Sequence, residues 1–165
     1  MIREANINDF DTIVALNLES EHYLSPMDRL RLNQLHTQAA YHRVIEWQSH
    51  VVAFLLVLRE GTDYDSANYQ WFAARYDTFL YIDRIVVAGA HRGRRLAAAL
   101  YDDLFAFARA NGFEHITCEY DVYPPNQASR RFHARFGFEE VGAQWVADGK
   151  KRVSLQRASS GGDPT

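Results

Sequence analysis

The 165-residue sequence has a single cysteine, Cys118. That excludes an internal disulfide and any zinc site built on several thiolates, and it fits a reducing compartment. Long apolar runs are missing as well. The longest, Val51 to Leu58, has the length of a strand, well short of the roughly 18 residues of a membrane-spanning helix. The opening residues MIREANINDFDTIVAL place Asn and Asp where a secretory leader needs an apolar stretch. A cytoplasmic protein with no membrane partner is therefore expected. Basic excess is absent too: the formal net charge is −3, so no global field recruits nucleic acid. The seven histidines show no metal-ligand spacing, and no metal is expected.

What is present suits a folded domain. Hydrophobic residues make up 47% and charged residues 24%, and this length can bury one proper core. Aromatics reach 13%, enough that some must line a core or a pocket. Ile2 to Asn6 reads as a short edge strand, followed by a helix capped at Asn8 that carries Phe10, Ile13, Val14 and Leu18. A second helix is expected from SPMD, with Ser25 as cap and Pro26 in the first turn. YHRVIEW and VVAFLLVL form a hairpin across QSH. The connection from Thr62 to Phe79 holds six aromatic rings. It reads equally as a short helix packing on the sheet or as a pocket wall, and the two are compatible.

LYIDRIVV is a mostly apolar strand, and a helix over Arg94 to Ala110 follows it, stopped by Asn111-Gly112. HITCEYDV is the next strand. This strand–helix–strand crossover makes its two strands parallel. PPN opens a short helix ending at Gly137, and FEEVGAQWV and KRVSL close the order through Asp148-Gly149. The expected fold is a single α/β domain over residues 1–157. Its central sheet is mixed and mostly antiparallel, with one parallel pair and helices on both faces. Residues 158–165 are expected as a disordered tail.

One stretch stands out: His91 to Leu100, HRGRRLAAAL. The first turn of a helix leaves backbone N–H groups without partners, and Ser, Thr, Asp or Asn usually caps them. Between Arg84 and Tyr101 there is none of these. An anion suits such an end, because the N–H groups and the helix dipole both point at it. Gly93 allows close backbone approach, and Arg92, Arg94 and Arg95 can clamp phosphate oxygens. The alternative is a solvated arginine cluster on a water-capped helix. Walker and Rossmann fingerprints are both absent.

The segment IDRIVVAGAHRGRRLAAALYDDLFAFARANGF resembles the acetyl-CoA-binding segment of the GCN5-related N-acetyltransferase (GNAT) superfamily: a strand, an Arg/Gln-x-x-Gly-x-Gly/Ala loop, then a long helix. Arg92 matches the first position and Ala97 the last, while Arg95 stands in the middle glycine's place. NQASRRFHARFGF is similar to a second family pattern: Asn126, Gly137 and Phe138 fit, and Ser129 replaces an alanine. The resemblance implies direct transfer of an acyl group, usually acetyl, from acetyl-CoA as co-substrate to a primary amine. That amine belongs to a small molecule or a protein, and a homodimer is common in the family. Main-chain groups of Ile85, Val86 and Val87 would hold the pantetheine and the oxyanion. Phosphates would fall to Arg92, Gly93, Arg94, Arg95, Leu96 and Ala97, with Asn126 and Ser129 completing the cofactor contacts.

Such chemistry needs a base to free the amine and an acid for the leaving thiolate. The family's acid is a tyrosine at the position held here by His133, which helical spacing places inward with Phe132 and Phe136. Two readings of His133 stand side by side: an acid when protonated, or a core histidine satisfied by one backbone bond. Asp83, Glu119 and Asp121 are the base candidates, with Glu119 preferred and Asp83 open to pairing with Arg84. Cys118 reads as packing. The rival to an enzyme is a non-catalytic acyl-CoA-binding or sensory module; a weaker third reading is a binder of another phosphorylated ligand.

Overall fold

The computed structural model describes residues 1–22, 24–123 and 125–161. Seven strands follow the order β1 (Ile2–Glu4), β2 (Tyr41–Trp47), β3 (His50–Arg59), β4 (Leu80–Val87), β5 (His115–Tyr123), β7 (Lys151–Ser159) and β6 (Glu139–Val146) across the sheet. The helices are α1 (Phe10–Glu19), α2 (Arg29–Gln38), α3 (Ala67–Ala73), α4 (Leu96–Ala110) and α5 (Gln127–Arg135). No helix among the described residues is long and apolar enough to cross a membrane. The parallel pair is β4 with β5, in register Leu80 to Ile116 and Tyr81 to Thr117. The mixed α/β class expected from the alternating pattern is what the chain adopts.

The chain divides into two compact units: Met1–Leu58 with Ile82–Leu104, and Arg59–Tyr81 with Phe105–Thr165. The sequence shows no boundary for a physical reason. Each unit is assembled from two separated segments, and the crossings fall inside β3, β4 and α4, where no linker composition can appear.

In unit one, β2 and β3 form an antiparallel hairpin, and Gln48 and Ser49 take left-handed φ values of 49° and 67° at its turn. β3 is buried from Val52 to Leu58, as an apolar run without alternation predicts. α1 begins later than the Asn8 cap predicts. Asn6 caps the preceding turn, accepting from the Asn8 N–H at 2.9 Å, and Asp9 returns a bond to the Asn6 N–H. Its buried stripe is Phe10, Ile13, Leu16 and Asn17, and Leu18 is exposed. α2 likewise starts after Asp28, whose carboxylate accepts from Arg31 N–H at 2.8 Å, so Ser25 is not the cap.

In unit two, the long connection is resolved by α3, capped by Ser66. Tyr69 and Phe72 are buried and meet Phe79 and Tyr81, which is the packing alternative for these rings. The ring of Trp71 lies against Gly142 of β6, where a Cβ would collide with it. β7 runs past the expected start of the tail. Ala158 is paired with Ile116 and buried, and Ser160 N–H donates to the Glu114 carbonyl at 2.9 Å. Ala158 and Ser159 thus belong to β7, which continues into the expected tail; 162–165 of that tail lie outside the described residues.

Candidate active site

The arginine loop belongs to unit one. β4 delivers it: Val86 is buried, Ile85 and Val87 are half-buried, and the Ala88 N–H donates to the Val52 carbonyl at 2.8 Å. The chain then turns through residues 89–91 and reaches Arg92, Gly93, Arg94 and Arg95, all exposed. Gly93 has φ 81° and Arg95 φ 59°, so the backbone is left-handed twice within three residues. Glycine takes that conformation without cost, whereas a residue with a Cβ pays about 1 kcal/mol. The slot where the family pattern has glycine therefore keeps the glycine conformation, with arginine bearing the strain. α4 opens at Leu96 and its ladder begins with Ala99 N–H to Arg95 carbonyl at 3.0 Å. Leu96 and Ala97 stand in the first turn, whose N–H groups precede any ladder bond. Backbone donors and three cationic side chains thus meet at one short loop, a surface suited to phosphate oxygens.

Asp83, also in unit one, is an ion-pair partner. Arg84 Nε donates to its carboxylate at 2.7 Å, with both side chains almost wholly buried. The same guanidinium donates to Asn17 Oδ1 at 3.0 Å and to the Ser25 carbonyl and hydroxyl at 3.1 and 3.2 Å. This network pins the segment between α1 and α2 to β4. The arrangement is the pairing alternative for Asp83, and it ties the carboxylate to structure.

Unit two holds Glu119 and His133. Tyr81 O–H lies 3.0 and 2.8 Å from the two carboxylate oxygens of Glu119. The register explains the meeting: Tyr81 pairs with Thr117, and Glu119 follows two residues later on the same face. Glu119 is half-buried and Tyr81 fully buried, so a phenol orients a carboxylate that retains access to solvent. Asp121, next on that face, sits 3.8 Å from the Lys151 ammonium. Cys118 points to the opposite face and is buried, which pushes its thiol well above the ordinary range and leaves it a packing residue.

α5 is capped by its own Asn126, whose Oδ1 accepts from the Ser129 N–H at 3.2 Å. His133 is buried; its Nδ1 lies 2.7 Å from the Ser129 carbonyl and 3.2 Å from the Ser129 hydroxyl. A carbonyl only accepts, so Nδ1 carries the hydrogen. Burial lowers the imidazole pKa, and the Ser129 carbonyl offsets this in part. The ring packs against Tyr120, Phe132 and Phe138. Burial thus favours the neutral imidazole, whereas protonating a thiolate takes the imidazolium.

The Acetyltransferase (GNAT) family profile matches residues 7–138, most of the chain. The chain belongs to this family. No curated protein matches the sequence of this GNAT chain. Among solved structures, Ard1 from Thermoplasma volcanium superposes with a TM-score of 0.77 at 15% identity, covering 96% of both chains. The ribosomal-protein-S18-alanine N-acetyltransferase from Escherichia coli gives 0.72 at 13%, covering 96% of this chain and 92% of its own. The yncA protein from Salmonella typhimurium, solved with its cofactor acetyl-CoA, gives 0.74 at 17%, covering 100% and 96%. At these identities the likeness establishes the GNAT fold.

The sequence offers the arginine loop and Glu119 as candidates but does not reveal Tyr81 as the hydrogen-bond partner of Glu119. The parallel register, once known, would have put both on one face. No group of three or more His, Cys, Asp or Glu among the described residues is placed to hold a metal ion.

Proposed function

We propose that this GNAT chain is an N-acetyltransferase that moves an acetyl group from acetyl-CoA to a primary amine. The observation that carries the reading is the loop from Arg92 to Ala97. It has two left-handed residues, three exposed guanidinium groups and no Ser, Thr, Asp or Asn to cap the helix it opens. Those residues would hold the pyrophosphate, and the main chain of Ile85, Val86 and Val87 the pantetheine arm. Acetyl-CoA would supply the activated acyl group. Glu119 is the base in this reading: an ammonium must lose a proton before it attacks, and a carboxylate oriented by Tyr81 O–H can accept it directly or through water. Asp83 is not given that role in this reading, which its buried pairing with Arg84 supports. In this reading His133, Asn126 and Ser129 are given the part of building α5, a reading supported by the bonds within that helix.

The acceptor class rests on the fold alone. Solved relatives carry names such as ribosomal-protein-S18-alanine N-acetyltransferase, and a protein amine or a small amine is proposed here on equal terms. Calorimetric titration with acetyl-CoA, with ATP as control, tests the cofactor. One-site binding of acetyl-CoA but not ATP is expected, followed by amine-dependent release of CoA thiol in an acceptor screen. Glu119→Gln should then lower kcat about 100-fold with acetyl-CoA affinity unchanged; equal turnover in the variant would remove Glu119 as the base. A second reading, a non-catalytic acyl-CoA-binding module, is favoured by one observation: the slot of the family's acid holds a buried, backbone-bound histidine. Acetyl-CoA binding without turnover on any amine would decide for it.

A further inference from the structure

The hairpin of unit one carries an indole beside the arginine loop. Trp47, at the end of β2, is 38% exposed in a chain whose large rings are mostly buried. The Arg94 guanidinium lies over its ring, 5.1 Å from the centroid. The His91 ring meets the same indole at 6.2 Å and an interplanar angle of 62°. His91 Nδ1 is buried with no hydrogen-bond partner among the described residues, so no polar bond at that atom fixes the imidazole. The ring is a wedge against the indole. On the neighbouring strand, the bond from Ala88 N–H to the Val52 carbonyl holds the start of the loop against β3, and Trp47 pairs with His50.

We propose that Trp47 is the platform for the purine base of the bound nucleotide; this rests on the acetyl-CoA reading above. The indole face stacks with flat π groups such as a purine and also attracts cations, and in the free protein the planar, delocalised guanidinium of Arg94 occupies it. It stands in for the base. When phosphate enters the loop, Arg94 has a better partner, because a guanidinium binds phosphate oxygens bidentately. Its turn to phosphate uncovers the indole face, and a base joined to that phosphate through one ribose stacks there. Stacking on an aromatic side chain does not depend on hydrogen-bonding edges, so the platform discriminates ligands with a base from ligands without one. One residue thereby separates the recognition of the nucleotide from that of the pantetheine arm.

The test compares two ligands by calorimetry on the full chain: acetyl-CoA, and S-acetyl-4′-phosphopantetheine, which keeps a phosphate and the thioester but lacks the base. Trp47→Ala should weaken acetyl-CoA about tenfold and leave S-acetyl-4′-phosphopantetheine unchanged, while Trp47→Phe stays near the wild type. Trp47→Leu keeps apolar bulk at the hairpin, in case alanine loosens it, and should show the same selective loss. Unchanged acetyl-CoA affinity in both Ala and Leu variants overturns the platform. So does an equal loss for both ligands, which would mean that Trp47 only supports Arg94 and the loop. Wild-type protein that fails to bind acetyl-CoA overturns the cofactor reading itself and the platform with it, an outcome that needs no variant to recognise.

Discussion

Two helix starts in this chain solve one problem in opposite ways. α5 opens with Asn126, whose side chain accepts from the Ser129 N–H and satisfies a donor from within. α2 and α3 do the same with Asp28 and Ser66. α4 has no such residue; it opens through Gly93 and Arg95 in left-handed conformations and among exposed arginines. A capped helix end is finished. An end that offers donors, adds positive side chains and carries backbone strain is suited to an anion, which is the part the proposed function gives it.

This contrast can be broken most severely at Gly93. Gly93→Asp puts a carboxylate among the donors, in open space but at φ 81°, where any side chain is strained. Acetyl-CoA affinity should fall roughly 100-fold or more, with a cooperative thermal transition retained; calorimetry beside a melting curve reads both, and unchanged affinity would sink the cradle. Asn126→Ala sharpens the contrast from the other side. Loss of a cap costs about 1 kcal/mol of stability, visible as a lower denaturant midpoint, with acetyl-CoA affinity intact. A marked loss of affinity would instead return Asn126 to the cofactor contacts that the family pattern implies. The smallest effect is expected at Arg95. Arg95→Gly removes the left-handed strain and should raise stability by about 0.5 kcal/mol, while Arg95→Ala should not. If both variants melt alike, the strain assigned to φ 59° is not there.

The elements legible in the sequence were those whose information is local. β3 and β4 are apolar runs bounded by polar turns, and α4 pairs an apolar stripe with a stop at Asn111-Gly112. The arginine loop was legible for the same reason: donors, charge and a missing cap all fall within a few residues. Helix starts were misjudged where several good caps compete. Asn6 and Asn8, or Ser25 and Asp28, are alike in propensity, and tertiary bonds choose between them: Arg3 holds Asp9 at 2.9 Å, and Arg84 holds Ser25. The pairing of Tyr81 with Glu119 spans 38 residues and depends on strand register, which composition does not encode. The strand extension to Ser159 was hidden because Gln156, Arg157, Ala158 and Ser159 pair with β5 but form no apolar run.

β7 lies between β5 and β6, although it follows both in the chain. β6 therefore joins the sheet only through β7, and while β7 is unpaired β5 has one edge open and β6 has no antiparallel partner, the state most exposed to wrong pairing. The last strand of the order is thus the keystone of unit two: a chain cut short before Lys151 would leave two bare strand edges at once.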